Sequence, residues 1–198
     1  MFKKSKATLY LLIANILIFF LEPVLPMDYL MFVPAYSIER PWSFVTAMFL
    51  HANFTHLFFN MFALFLFGIY LESKIGSRKF LLGYFLSGII GNLGFLLLSP
   101  NSTIPALGAS GAIYGVLGTL AILEPTLIIY VDFIPMPMIV AAIIWLLTSL
   151  AGIFGPPTGI GYQAHLFGLL FGFFYGYYLK REEKNKPYTS YYYYYYYE

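Results

Sequence analysis

Gly108-Ala109-Ser110-Gly111-Ala112-Ile113-Tyr114-Gly115 lies in the middle of a strongly apolar chain. Its glycines read as a loop that turns into a short helix, with the hydroxyl of Ser110 at the turn. A hydroxyl in a membrane helix usually bonds back to its own backbone, so Ser110 alone carries little meaning. Its company changes that. His165 sits in a late apolar segment, and His51, His56 and Asn60 sit in an early one.

The chain of 198 residues is 60% hydrophobic and 10% charged. Soluble domains carry about 25% charged residues, so this composition belongs in lipid. Mean hydropathy is +0.75. There are no cysteines, which excludes disulfides and thiolate metal sites. A net charge of +2, without interleaved basic and aromatic residues, argues against a nucleic-acid partner.

Lys3, Lys4 and Lys6 precede an apolar run over residues 7–21. Glu22-Pro23-Val24-Leu25-Pro26-Met27 offers no small-residue cleavage site, so the run reads as a retained membrane helix. Residues 23–55 hold Pro23, Pro26, Pro34 and Pro41 among Trp42, Phe44 and Phe49. That stretch is too broken to span and too apolar for water, and a membrane-associated loop is expected. Further spans are expected at about residues 56–71, 80–98, 110–123, 137–153 and 162–179. Their stops are the charged cluster Glu72, Lys74, Arg78 and Lys79, then Ser99-Pro100-Asn101, Glu124-Pro125, Gly155-Pro156-Pro157 and Lys180-Arg181. The expectation is an all-α membrane protein with a six-helix domain over residues 1–180. Residues 181–198 form a low-complexity tail with seven consecutive tyrosines, 191–197.

With six spans and an inner N-terminus, ten of the eleven Lys and Arg residues fall inside, and Arg40 alone falls outside. Positive charge marks the cytoplasmic side, so a multi-pass protein of the cell membrane with both termini cytoplasmic is expected. Spans two, four and six then all run inward. His56, Ser110 and His165 arrive at one depth near the outer face. A fourth span of about 14 residues reaches about 21 Å, against about 30 Å of hydrocarbon. Ser110 is therefore expected about 10 Å below the outer interface, and the non-helical backbone before it must line a wet cavity or be buried in protein.

A serine becomes a nucleophile when a base is within hydrogen-bond reach and an oxyanion site lies nearby. His165 is the best base among residues in the spans, and no acid inside the spans is placed to orient it, so a Ser-His dyad is implied. Tyr114, one turn after Ser110, offers an aromatic face to the imidazole. His56 and Asn60, four apart, share a helix face, and with the Ser110 backbone N–H they could form an oxyanion hole. His51 lies off that face and braces the loop. Gly168, Gly172 and Gly176 recur every four residues, and with Gly111, Gly115 and Gly118 they suit close packing of two helices.

His51-x4-His56-x3-Asn60, Gly108-Ala109-Ser110-Gly111 and Ala164-His165-x2-Gly168-x3-Gly172 resemble the rhomboid family of intramembrane serine proteases. The likeness spans roughly residues 1–180, with the motifs on helices two, four and six. Arg40-Pro41-Trp42 resembles the family's tryptophan-arginine loop motif in altered order, and Glu72-x3-Gly76 its structural motif after helix two. The resemblance implies Ser110 as nucleophile, His165 as general base, and His56 and Asn60 as oxyanion stabilisers. It also implies cleavage of membrane-protein substrates near their outer ends, in the bilayer and without metal or cofactor.

Rival readings are weaker. A catalytically dead relative would typically lack the serine or the histidine. A transporter would show ionisable residues inside its spans or an inverted repeat. His51 and His56 lack the His-Glu-x2-His spacing of a zinc site, and Gly108-Ala109-Ser110-Gly111-Ala112 lacks the second glycine of a hydrolase elbow.

Overall fold

The computed structural model describes residues 6–156 and 158–185. Lys3, Lys4, Pro157, Lys186 and the tyrosine run at 191–197 lie outside the described residues. Six long helices dominate: α1 (Lys6–Leu21), α2 (Phe54–Ile75), α3 (Ser77–Leu98), α4 (Ser110–Leu123), α5 (Met138–Phe154) and α6 (Tyr162–Lys184). The architecture is an all-α membrane bundle. Three stretches, Lys6–Val24, Phe54–Ile75 and Ser77–Leu98, are long and apolar enough to cross a bilayer, while α4 and α5 are shorter apolar helices.

Burial shows what each helix is for. α1 buries one stripe, Ala7, Thr8, Leu11, Leu12 and Asn15, and turns Leu9, Tyr10, Ile13 and Phe20 outward. A helix apolar on both faces suits a wall facing lipid. α4 is the opposite case, with every residue from 115 to 121 buried. It is the central pillar.

Small residues bring α6 onto that pillar. A Cβ on Gly168 would sit 2.1 Å from the Gly111 carbonyl oxygen, and one on Gly172 would sit 2.2 Å from that of Gly115. The two backbones are in contact along this seam, as the glycine spacing suggested. Thr119 Oγ1 donates to the Gly115 carbonyl of its own helix and to Gly172 of α6.

α2 and α3 meet without a loop. Gly76 stands at φ +82°, a conformation L side chains rarely adopt, and reverses the chain alone. The third helix therefore begins at Ser77, three residues earlier than the pattern suggested. A π-helical turn, Leu64–Gly68, interrupts α2 without ending it.

Glu72, which also belongs to the expected Glu72-x3-Gly76 structural motif, departs from its other expected place in the charged cluster that stops the second span. Instead it is fully buried within α2. Its carboxylate accepts from Ala7 N–H, Thr8 N–H, Thr8 Oγ1 and Ser77 Oγ at 2.5–2.9 Å. The first turn of α1 has free N–H groups and the positive end of a helix dipole, and Glu72 satisfies both. Lys74, by contrast, reaches out to pair with Glu124 at the end of α4, and Lys79 pairs with Glu182 of α6 at 2.7 Å.

A second departure is a hairpin between α4 and α5. β1 (Ile128–Val131) pairs antiparallel with β2 (Ile134–Pro137), Val131 opposite Ile134. Its turn residues Asp132 and Phe133 both take positive φ, at 49° and 67°. That is the tight turn a two-residue hairpin needs, made here without the glycine that would announce it.

The loop between α1 and α2 is made of short helical turns and packs closely. Phe32 exchanges backbone hydrogen bonds with Ala106 at 3.0 and 2.7 Å, and its ring meets Phe44 and Phe95. Arg40 Nη1 donates to the Asp28 carbonyl, its guanidinium lies over Tyr29 and Tyr36, and Trp42 Nε1 donates to the Tyr29 carbonyl. Arg40 thus holds the loop to itself.

Candidate active site

Ser110 is the first residue of α4, and its backbone N–H belongs to the first turn, where no intrahelical acceptor exists. The approach to it is shaped by Gly108, at φ +117°, whose N–H donates to the Ala47 carbonyl at 2.8 Å. A side chain at 108 would also collide with His56, since a Cβ there would stand 2.7 Å from Cε1 and 2.8 Å from Nε2. The imidazole of His56 therefore rests directly on the backbone that leads into Ser110.

His165 lies in the first turn of α6, its N–H donating to Gly161. Its Nε2 is 2.7 Å from Ser110 Oγ, hydrogen-bond distance across 55 residues of chain. The α4–α6 glycine seam sets that separation. The Tyr114 ring stacks on the imidazole, centroids 4.2 Å apart and planes 10° from parallel. Trp145 of α5 meets the Tyr114 ring at 6.4 Å, edge-on, and Tyr162 approaches His165 at 6.5 Å. Among the described residues no carboxylate bonds to His165.

A cavity of about 250 Å³ opens beside the serine, walled by Phe59 and Asn60 of α2, Ser110, Ile113 and Tyr114 of α4, and Trp145 of α5. Its lining is mostly apolar, with the hydroxyl and amide as the polar points.

The early histidines and Asn60 fall as follows. Asn60 lines the cavity, but its Nδ2 donates to the His56 carbonyl of its own helix at 2.8 Å, and its buried Oδ1 has no partner. One Nδ2 hydrogen is left over. His56 Nδ1 accepts from the Ala52 N–H at 3.4 Å, an arrangement that leaves the imidazole proton on Nε2. His51 is buried, edge-on to His56 at 5.1 Å, and its backbone N–H donates to Glu22 Oε1. Burial, and then the neighbouring His56, push its imidazole down to about 4, so it is neutral at neutral pH.

The structure thus brings Ser110, His165 and Tyr114 into contact and sets His56 against Gly108. It leaves the Asn60 amide bonded to its own helix and His51 in the loop wall. Trp145 was not anticipated, because a tryptophan in an apolar helix carries no mark of a site.

The model of the Rhomboid domain family matches residues 39–182. A Bacillus subtilis (strain 168) protein named "Putative rhomboid protease YdcA" is 38% identical over 134 residues, 67% of this chain and 64% of that protein. The yeast Saccharomyces cerevisiae "Rhomboid protein 1, mitochondrial" is 34% identical over 148 residues, 70% of this chain and 42% of its own length. "Inactive RHOMBOID-like protein 8" of Arabidopsis thaliana is 37% identical over 79 residues, 40% of this chain and 22% of that protein. The chain spans less than two thirds of the length of each relative.

Proposed function

The chain belongs to the rhomboid family, and from that membership together with the Ser110–His165 geometry we propose that it is an intramembrane serine endopeptidase. The observation that carries this reading is the 2.7 Å approach of His165 Nε2 to Ser110 Oγ at the mouth of an apolar cavity.

In the proposed mechanism, Ser110 Oγ attacks a substrate peptide carbonyl as its proton passes to His165 Nε2. Negative charge gathers on the former carbonyl oxygen. Three donors are within the architecture to receive it: the Ser110 backbone N–H, the second Asn60 Nδ2 hydrogen and His56 Nε2–H. Collapse of the intermediate breaks the C–N bond, and His165 returns the proton to the leaving amine. Water, deprotonated by the same imidazole, then releases the acyl group from Ser110. The steps use no metal or cofactor. With no carboxylate bonded to His165 among the described residues, the stacked Tyr114 ring holds the imidazole plane.

The substrates are membrane-protein segments, and the cavity between α2, α4 and α5 is where an extended stretch of one would lie. The bundle has six spans with both termini cytoplasmic, a reading supported by the ten-to-one distribution of Lys and Arg. Ser110 and His165 then face outward, and the cut falls near the outer end of the substrate segment.

The test is cleavage of a single-span reporter in liposomes, with the cut mapped by mass spectrometry. A cut within about two turns of the reporter's outer end is expected, because Ser110 opens a helix too short to cross the bilayer. A cut at its cytoplasmic end would overturn the proposed orientation.

The ring of Tyr114 supplies a further prediction. Stacked aromatic pairs contribute about 0.5–1.5 kcal/mol, so Tyr114→Ala should slow cleavage up to about tenfold while Tyr114→Phe stays close to wild type. Equal loss in both variants would assign the effect to the hydroxyl instead.

A further inference from the structure

At the end of the bundle opposite Ser110, a groove of about 500 Å³ runs between the end of α4, the start of α5 and the last turns of α6. Its floor is apolar, made by Ile122, Pro125 and Ile139, and one wall carries Lys180, Arg181 and Lys184. Tyr177 completes that wall, and the spacing 177, 180, 181 and 184 puts all four on one face of α6. We propose that this groove binds the headgroup of an anionic phospholipid, with Lys180, Arg181 and Lys184 facing the phosphate and an acyl chain on the apolar floor.

Three observations favour this occupant. Two acids close to these cations are engaged elsewhere: Glu124 with Lys74 and Glu182 with Lys79. Among the described residues Lys180, Arg181 and Lys184 make no ion pair, and the Lys180 ammonium donates only to the Ile122 carbonyl at 3.3 Å. Three cations on one wall therefore face an opening with no acid among the residues that line it. The volume lies in the range of small-ligand sites, about 300–1,000 Å³. Finally, the other two sides come from α5 and α6, which expose Val140, Ile143 and Phe174, so the groove runs on into apolar surface. A free phosphate would use the wall but not the floor. Basic pockets between helices at the membrane surface are suited to anionic headgroups, each cation contributing about fivefold in affinity.

The experiment is a titration of the purified full chain, in a neutral detergent, with phosphatidylglycerol and separately with phosphatidylcholine, read by native mass spectrometry. Phosphatidylglycerol should bind at least tenfold tighter. Arg181→Gln and Lys184→Gln should each weaken it about fivefold, and Lys180→Gln combined with both should weaken it on the order of a hundredfold. Arg78→Gln, a charge removed outside the groove, should leave it unchanged. Far-ultraviolet circular dichroism establishes that each variant is folded. Equal binding of the two lipids, or an unaltered triple variant, would overturn the proposal. Displacement of the lipid by millimolar inorganic phosphate would mean a free-anion site, and displacement by an acidic peptide a protein-docking site; either result also overturns it.

Discussion

Ser110→Ala is expected to lower cleavage of a membrane-anchored reporter by about 10⁴- to 10⁶-fold, and His165→Ala by a similar factor. Both effects come from one hydrogen bond. Ser110 Oγ and His165 Nε2 are 2.7 Å apart, and in the proposed mechanism they act as a unit, so removing either group removes the whole proton-coupled attack. The double variant should be no slower than the worse single one, because effects within such a unit do not add. On the proposed mechanism the residual rate belongs to the backbone N–H and the Asn60 and His56 donors, which the substitutions leave in place. Reaction with a fluorophosphonate should label the wild type at Ser110 and neither variant.

The two readouts separate the competing outcomes. Labelling without cleavage means a working serine offered the wrong reporter. Cleavage that persists in Ser110→Ala would remove the serine from the mechanism outright. If a folded wild type neither cuts nor labels, the protein belongs with relatives such as the Arabidopsis one named inactive. In each variant the fold should hold: Ser110 and His165 are half-buried and their bond is a single contact at the bundle's end, worth about 1 kcal/mol.

The helices were legible in the sequence because a membrane span is written in composition, and composition survives without any knowledge of packing. The glycine seam was legible for a related reason: small residues at four-residue spacing have few uses other than close helix contact. The hairpin at Ile128–Pro137 was not, because Asp132-Phe133 is an unusual pair for a turn with positive φ and the strands are only four residues each. Only the Glu72-x3-Gly76 resemblance marked Glu72 as structural, because local sequence places it beside Lys74 and Arg78 and only the tertiary fold supplies the α1 terminus that it caps. At the site, residue types pointed to Ser110 and His165. The side-chain rotation of Asn60, bonded to its own helix, depends on competition between two acceptors that no pattern encodes. Trp145 falls in the same class, an apolar residue whose place against Tyr114 is set by how α5 leans.

Gly172→Ala should reverse the ordinary sign of a glycine-to-alanine change. In a helix interior that substitution normally stabilises by about 0.5–1 kcal/mol. Here the new Cβ would stand 2.2 Å from the Gly115 carbonyl oxygen and 2.9 Å from its Cα, and both are backbone atoms of the central helix. Neither can rotate away, as a side chain would. Real Cβ atoms essentially never approach closer than 3.0 Å, so α6 must move outward by most of an ångström. Overpacking of this kind costs about 1–3 kcal/mol, and the thermal midpoint should fall. The larger effect is on chemistry. His165 rides on α6 seven residues before Gly172 and Ser110 rides on α4, so a shift of the seam lengthens their 2.7 Å contact. A misplacement of about 1 Å can cost about a hundredfold in rate, and cleavage should drop by that order while the protein stays folded. Gly161→Ala is the control, since its Cβ would meet only Ala164 Cβ at 3.9 Å. A Gly172→Ala protein with wild-type cleavage and a raised thermal midpoint would mean that the seam does not set the Ser110–His165 distance.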